Sequence, residues 1–221
     1  CPANITVNAD STGFNTAINI DGITANYDFS NNAQFDNILV TSGDPISLQG
    51  DVAAQTIIGD DTGEFVRGRD GADILIGNGG DDRMVGDDGA VSQVGSGGDM
   101  FTGGSGNDTI LGEDGTDQAN FLATLNSSMF AAVADADGAT ASNQAGWTVT
   151  TGGAEGTDSL LDVEFVDGAG TGRFLLVGNS GFDTIQAALT AAVDGDTIII
   201  APGTYDEDLM VNAAVTIIGA K

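Results

Sequence analysis

Acidic residues that can bind a metal ion recur at a fixed place in a repeated nine-residue unit. They occupy the sixth position of their units: Glu64, Asp73, Asp82, Asp99, Asp108 and Asp117. Carboxylate oxygens are hard ligands of the kind that Ca²⁺ prefers. Glycine-rich loops can curl their backbone carbonyls around the same ion. The pattern therefore favours the binding of a hard cation such as Ca²⁺ by these loops.

Glycines set the period of these units. The chain has 34 glycines in 221 residues, and Gly50, Gly59, Gly68, Gly77 and Gly86 follow one another at intervals of nine. The unit at 103–111 reads Gly-Gly-Ser-Gly-Asn-Asp-Thr-Ile-Leu, with glycine at positions one, two and four, aspartate at six and an apolar residue at eight. This unit resembles the RTX calcium-binding nonapeptides, whose motif is G-G-x-G-x-D-x-U-x with U apolar.

The resemblance implies a parallel β-roll in which calcium ions lie between stacked turns, with half a turn made by each unit. Equivalent loops then recur every 18 residues, but the step from Asp82 to Asp99 is 17, and Val91 stands where an acid is needed. This count predicts two columns: Glu64, Asp82, Asp99 and Asp117 in one, and Asp73, Val91 and Asp108 in the other. We expect sites between Asp82 and Asp99 and between Asp99 and Asp117, a less secure site between Glu64 and Asp82, and damaged sites beside Val91.

Other acidic residues of these loops are expected to be solvated turn formers: Asp60, Asp61, Asp87 and Asp88. The chain carries 33 acidic and 5 basic residues, for a formal charge of -28, and no histidine. Without histidine there is no Ser-His-Asp nucleophile and no His-containing zinc site. So few basic residues exclude a nucleic-acid partner. No apolar run approaches the roughly 20 residues of a membrane span.

Apolar eighth positions predict the short strands that position these loops. The apolar residues keep the nine-residue period over a long stretch: Leu39, Leu48, Ile57, Val66, Leu75 and Met84, then Phe101, Ile110 and Ala119. Because this ladder starts before the acidic motif, we expect the roll to begin near Asn37 with metal-free turns. An ordinary β-sandwich is the alternative for the earliest strands.

A second resemblance lies near the C-terminal end of the chain. The stretch 181–205 looks like the opening of a pectin-lyase-like right-handed β-helix, which implies a capping helix near residues 182–193. Ser180 with Asp183 is the predicted N-cap arrangement. Strands are predicted at 197–201, 209–211 and 215–218. One coil is fewer than the three or so repeats that a stable solenoid needs, so we expect more chain, or another molecule, to stack on this edge.

The predicted fold class is all-β, a parallel β-roll and β-helix solenoid with one short capping α-helix. Four domains follow from the pattern: a β-rich segment at 1–36, the β-roll at 37–120, a capping segment at 121–173, and the first coil of the β-helix with its helix at 174–221. Calcium is the predicted cofactor.

These features favour a calcium-binding structural protein of the cell surface or matrix, such as an S-layer, adhesin or filament subunit, which folds when calcium binds. Type I secretion is the export route that the resemblance implies, and further copies of the chain or a polysaccharide are candidate partners. Two alternatives stay open: an accessory module of a secreted polysaccharide enzyme of the alginate epimerase or lyase type, and the secretion domain of a toxin or protease. No catalytic motif is recognisable.

Overall fold

The computed structural model describes residues 47–50, 53–87, 97–136, 144–170 and 172–220 with their side chains, and three earlier strands by their backbone. The first half of the chain forms short strands: β1 Ala17–Ile20, β2 Tyr27–Asp28, β3 Asn37–Val40, β4 Ser47–Gln49, β5 Thr56–Ile58, β6 Phe65–Arg67, β7 Ile74–Gly79, β8 Arg83–Val85, β9 Met100–Ser105, β10 Thr109–Leu111 and β11 Gln118–Phe121. The later elements are a 3₁₀ helix Ser127–Met129, β12 Phe130–Val133, β13 Gly146–Thr150, β14 Thr157–Leu161, β15 Phe165–Gly168, β16 Phe174–Val177, α1 Ile185–Ala191, β17 Thr197–Ile200 and β18 Thr216–Gly219.

Within the described residues the strands form two facing sheets. The order in the first sheet is β1-β3-β5-β7-β9-β11-β15-β16-β17-β18, and the order in the second sheet is β12-β13-β14-β10-β8-β6-β4-β2. From β1 to β11 consecutive strands alternate between the sheets, and neighbours within a sheet are parallel. Each nonapeptide therefore makes half a turn of a parallel β-roll, and the predicted all-β solenoid fold is confirmed.

The parallel pairing reaches further towards the N-terminus than residue 37. Strand β1 pairs with β3, and Ile18 lies opposite Ile38. Strand β2 pairs with β4 in the second sheet. The strand pattern of the roll thus includes residues 17–20 and 27–28, which fall inside the segment predicted as 1–36. The division into four domains stays a prediction.

The core is a column of single side chains between the two sheets. In β4, β5 and β6 the middle residue is buried and its two neighbours are half-buried, as alternation along a strand requires. The inward residues are at most 1% exposed: Leu48, Ile57, Val66, Leu75, Met84, Phe101, Ile110 and Ala119. The predicted apolar ladder is confirmed from Leu48 onward, and the side chain of Leu39 lies outside the described residues.

The chain between β8 and β9 holds an insertion rather than a short turn. Ile74 pairs with Met100 and Leu75 pairs with Phe101, so equivalent residues on this sheet are 26 apart instead of 18. Eight extra residues therefore separate Gly86 from the loop before β9. The prediction of one missing residue near 90–95 is wrong, because the strand pairing places one half-turn between Asp82 and Asp99, where the sequence count placed two. Val91 itself lies outside the described residues.

Strands β14 and β15 extend both sheets beyond the repeats. Thr109 pairs with Ser159 across β10 and β14, and Gln118 pairs with Phe165 across β11 and β15, both in parallel. Antiparallel strands then follow on each sheet, β13 beside β14 and β16 beside β15. The apolar core continues through this region with buried Trp147, since its ring packs in the same cluster as the roll residues.

The C-terminal coil matches part of its prediction. Strands β16, β17 and β18 are parallel and in register, and β17 and β18 fall where strands were expected. No strand forms at 209–211, where Leu209, Met210 and Val211 are exposed. The kinship of this coil with pectin-lyase-like β-helices stays a prediction. No helix among the described residues is long and apolar enough to cross a membrane.

Helix α1 is shorter than the predicted 182–193 and begins after a different residue. Its N-cap is Thr184, whose side-chain oxygen accepts the Ala187 N–H at 3.0 Å. The Ser180 hydroxyl instead accepts the N–H of Asp162 at 2.8 Å, so the predicted Ser180 cap is wrong. The carboxylate of Glu207 accepts the N–H groups of Ile185 and Gln186 at 3.0 and 2.9 Å, which ties the helix to the loop after β17.

Two neighbouring residues of β9 test the assignment of inside and outside. Phe101 is fully buried between the sheets, whereas Met100 is 42% exposed on the outer face. Phe101→Ala should lower the free energy of unfolding by about 3–5 kcal/mol because it leaves a cavity. Met100→Ala should change it by less than about 0.5 kcal/mol. Urea denaturation in saturating calcium measures both, and equal losses would contradict the assignment.

Candidate metal centre

Sixth-position residues form two carboxylate ladders, one along each sheet. In the first ladder the loops before β7, β9, β11 and β15 contribute Asp73, Asp99, Asp117 and Glu164. In the second ladder the loops before β6, β8 and β10 contribute Glu64, Asp82 and Asp108, and the start of β14 contributes Asp158. Apart from Glu164, which is half-buried, all are at most 3% exposed. The roll thus buries a row of carboxylates at the start of the strands of each sheet.

Each ladder is held by one hydrogen bond per turn. The N–H of Asp73 donates to Oδ1 of Asp99, and the N–H of Asp99 donates to Oδ1 of Asp117, both at 2.7 Å. On the other sheet the N–H of Glu64 donates to Oδ1 of Asp82 at 2.7 Å, and the N–H of Asp82 donates to Oδ1 of Asp108 at 2.9 Å. One oxygen of each accepting carboxylate is therefore fixed by the backbone of the preceding turn.

The second oxygen of four of these carboxylates has no hydrogen-bond donor among the described residues. These buried atoms are the Oδ2 atoms of Asp82, Asp99, Asp108 and Asp117. A buried anionic oxygen without a donor is costly unless a positive charge accompanies it. An ion pair joins Arg173 to Asp196, and neither residue belongs to a ladder. A bound cation would supply positive charge beside the Oδ2 atoms of Asp82, Asp99, Asp108 and Asp117.

First-position glycines leave a space in which these oxygens meet carbonyl groups. A Cβ added to Gly77 would collide with Oδ2 of Asp82 and would lie 2.7 Å from the carbonyl oxygen of Gly103 in the next turn. The same construction at Gly86 meets Oδ2 of Asp99 and the carbonyl oxygen of Gly112. A carboxylate oxygen and a carbonyl oxygen from adjacent turns therefore converge beside each of these glycines, where there is no side chain. Carboxylate and carbonyl oxygens are the ligands that Ca²⁺ accepts.

Fourth-position glycines let the turns stack this closely. Gly80 has φ +94°, and a Cβ there would collide with the backbone of Thr62 in the preceding turn. Gly106 has φ +131°, and its Cβ would collide with the carbonyl of Gly80 in the same way. Any larger residue at these positions would force adjacent turns apart and disperse the oxygens.

No cluster of three or more acidic side chains around one point occurs in the described residues. The oxygens of each candidate site come instead from one or two carboxylates and from the backbone. Such a site depends on the stacking of turns, because the carbonyls meet only when two turns are in register. The candidate sites therefore exist only in the folded roll.

Burial raises the pKa of the ladder carboxyls far above their ordinary values. It raises the pKa of Asp82, Asp99, Asp117 and Asp158 to about 8, of Glu64 and Glu164 to about 7, and of Asp108 to about 6. Loss of hydration is the main cause, and neighbouring carboxylates add to it, whereas the backbone hydrogen bonds act in the opposite direction. A cation between the turns would reverse the balance by favouring the charged form.

The six predicted ligands all lie on the ladders, but their pairing differs from the prediction. Asp99 stacks on Asp73, not on Asp82, and Asp108 stacks on Asp82. The predicted site between Asp82 and Asp99 is therefore wrong, because the eight-residue insertion moves the two residues to opposite ladders. Asp99 is hydrogen-bonded to Asp117, and Glu64 to Asp82, as the predicted sites between them require. Calcium binding at these two sites stays a prediction.

Three acidic residues of this region escaped the sequence analysis. Asp87, expected to be a solvated turn former, is fully buried, and its charge helps to raise the pKa of Asp99 and Asp117. Asp158 and Glu164 join the ladders although they lie beyond the repeats. Each stands two residues before a buried apolar residue, Leu160 and Val166, which is the spacing of positions six and eight. That spacing was the available signal.

Comparison with known families decides what these loops are. The family model described as RTX calcium-binding nonapeptide repeat (4 copies) matches residues 58–90 and 93–120. These residues are RTX calcium-binding nonapeptide repeats. The break between the two matches falls in the insertion, and the second match ends before Asp158 and Glu164. No curated protein and no solved structure matches the chain.

With these RTX repeats the chain is a calcium-binding repeat protein. Its candidate sites fit the ion in three respects: buried oxygens without donors on four of the aspartates, carbonyls that converge on them, and an excess of acidic over basic residues in the chain. Calcium would supply positive charge between the turns. The chain itself supplies the oxygens, holds them through the Oδ1 hydrogen bonds and excludes side chains from the space with glycine.

The pairing of the RTX turns can be tested by a double-mutant cycle on calcium affinity. Asp73→Asn and Asp99→Asn should be coupled by about 0.5–3 kcal/mol, because the two residues contact each other. Asp82→Asn and Asp99→Asn should be additive within about 0.5 kcal/mol, because they lie on opposite ladders. Calorimetric titration of the single and double variants measures both values. Coupling between Asp82 and Asp99 would contradict the pairing in the structure, which places these two residues on opposite ladders.

The raised pKa values set the pH dependence of the metal-free RTX repeats. A folded-state pKa above the unfolded value contributes stability that is present below about pH 4 and is lost as the pH rises through about 8. Metal-free protein should therefore keep more β-sheet structure at pH 5 than at pH 8, where the charged ladders unfold the roll. Calcium-saturated protein should instead be more stable at pH 8 than at pH 5, since the ion displaces protons. Circular dichroism in chelator and in saturating calcium measures this, and a pH-independent spectrum of the metal-free protein would contradict it.

Proposed function

We propose that this chain is an extracellular structural protein whose β-roll folds when calcium binds. The observation that supports the proposal is the set of buried Oδ2 atoms that face carbonyl groups of the neighbouring turn and lack donors. The proposed ligands are the sixth-position carboxylates of the repeats, Glu64, Asp73, Asp82, Asp99, Asp108 and Asp117, together with first-position carbonyls.

Energetics favour folding outside the cell. Without the ion the ladders hold several buried carboxylates in a row, and their mutual repulsion opposes compaction. Extracellular calcium reaches the millimolar range in which weak modules are saturated. The chain would then stay unfolded during export and fold where calcium is abundant, which fits type I secretion.

A structural role follows from the shape of the molecule. The two sheets run through the roll with one inward residue per strand, so the molecule grows by adding turns rather than by enlarging a core. After the metals are counted the chain remains strongly acidic. An S-layer, adhesin or filament subunit uses such an extended, acidic, calcium-stiffened rod, and further copies of the chain are its proposed partners.

A module of a secreted polysaccharide enzyme is the second candidate. The observation that favours it is the coil of β16, β17 and β18, whose three strands are parallel and in register beside α1. Under this candidate the calcium-loaded protein binds a uronate polysaccharide and stays monomeric. Under the structural candidate it forms ordered assemblies with its own copies.

Removal of calcium tests the proposed function directly. Dialysis against a chelator should abolish the β-sheet circular dichroism of the roll, and added calcium should restore it. Asp108→Asn should weaken calcium binding by at least about tenfold, because it removes a charged ligand. Asp206→Asn, the same charge change at an exposed residue, is the matched control and should bind as the parent does. An unchanged spectrum in chelator would refute calcium-dependent folding.

A further inference from the structure

The chain closes the first ladder with a turn that the repeats do not contain. Residues 162–164 lie between β14 and β15 and take the place of a full loop. The carboxylate of Glu164 accepts the N–H of Asp117 at 2.8 Å, as each sixth-position carboxylate accepts from the turn before it. Glu164 thus occupies a sixth position with only two residues before it, against five in the motif.

This turn presents oxygens to the last repeat in the same arrangement as a nonapeptide does. A Cβ added to Gly112 would collide with Oδ2 of Asp117 and with the carbonyl oxygen of Asp162. At Gly77 and Gly86 the corresponding carbonyl comes from a first-position glycine of the next repeat. Asp162 therefore takes the place of that glycine, and its carbonyl oxygen lies where a repeat would place the carbonyl oxygen of its first residue.

The oxygen of Asp117 that points into this space is unsatisfied. Asp117 is fully buried, and its Oδ2 has no hydrogen-bond donor among the described residues. The Oδ1 atom accepts the N–H of Asp99. A buried carboxylate with one bare oxygen beside a carbonyl oxygen calls for a cation at that point.

Backbone strain and a hydroxyl hold the Asp162 carbonyl in place. Asp162 has φ +51°, a left-handed conformation that a residue other than glycine adopts at a cost. Its N–H donates to Oγ of Ser180 at 2.8 Å. Ser180 belongs to the turn after β16, where the side-chain amide of Asn179 donates to the carbonyls of Val133 and Gly146. The carbonyl of Asp162 is thereby fixed by a turn that is itself anchored to the second sheet.

An open cleft adjoins this point and carries only negative charge on its ionisable side chains. It has a volume of about 330 Å³, and its acidic lining residues are Glu113, Asp162, Glu164 and Asp183. No lysine or arginine lines it. The cleft is large enough for water molecules that would complete the coordination of a hydrated ion.

We propose that this closing turn forms one more calcium site, outside the RTX repeats, between the last nonapeptide and the segment that follows. Oδ2 of Asp117, the carbonyl oxygen of Asp162 and the carboxylate of Glu164 are its protein ligands, and water in the cleft supplies the remainder. The site rests on the proposed function, because Asp117 also ends the row of repeat ligands. Its consequence is that calcium fastens the C-terminal half of the molecule onto the roll.

The turn that anchors Asp162 carries a natural reporter. The indole N–H of Trp147, the one tryptophan of the chain, donates to the carbonyl of Gly178 at 3.0 Å. Gly178 and Ser180 lie in the same turn, so filling the closing site should alter the fluorescence of Trp147. The repeat sites lie on other turns and should affect it less.

The test counts calcium ions bound to the full chain and follows Trp147 during titration. At the lowest free calcium that saturates the parent protein, Glu164→Gln should bind one ion fewer per chain and should lose the Trp147 fluorescence phase. Asp206→Asn, matched in charge, should bind as many ions as the parent. Ser180→Ala keeps every carboxylate and removes the hydroxyl that holds Asp162, so it should weaken one ion about tenfold while the other ions bind unchanged.

The outcomes separate this inference from the function on which it rests. If the parent binds no calcium, the proposed function fails. If the parent binds calcium and both Glu164→Gln and Ser180→Ala bind it with the parent's count and affinity, the closing site alone is refuted. Should Glu164→Gln fail to fold, Ser180→Ala decides: one selectively weakened ion supports the site, and unchanged affinities overturn it.

Discussion

A carboxylate buried between two stacked turns has one oxygen held by the backbone and the other left without a donor. At Asp99 the N–H of Asp73 satisfies Oδ1, while Oδ2 faces a carbonyl of the next turn beside Gly86. Two such oxygens repel each other, and a cation between them would relieve the repulsion. The stacking of the turns and the glycines at the first and fourth positions create this arrangement.

The core of the roll is too thin to impose the fold unaided. Each strand from β4 to β8 buries a single apolar column residue between the sheets, flanked by half-buried neighbours in most cases. Such a core gives little stability per turn compared with the entropy of ordering nine residues. Under the proposed function, binding energy from calcium would add to the folding energy of each turn.

The ladders also explain how the roll tolerates irregular chain. The insertion between Gly86 and Gly97 leaves the candidate site intact, because Gly86 still lies beside the Oδ2 atom of Asp99. At the C-terminal end of the roll, the carbonyl of Asp162 and the carboxylate of Glu164 are two residues apart. In a repeat the corresponding groups are five residues apart. At Gly77, Gly86 and Gly112 alike, a carboxylate oxygen and a carbonyl oxygen lie beside a space that holds no side chain. The number of residues between them varies.

The sequence by itself determined the period, the half-turn, the inward residues from Leu48 to Ala119 and the sixth-position acids, because these are local features repeated along the chain. Only the tertiary structure decided which acids share a ladder. The glycine spacing is the same whether residues 86–94 form a turn or an insertion, and the hydrogen bonds between β7 and β9 resolve it. The spacing of Asp158 and Glu164 to the next apolar residue hints at a sixth position, but only the pairing of β14 and β15 with the repeats places them on the ladders. The burial of Asp87 likewise follows from the packing of the turns and not from a local pattern.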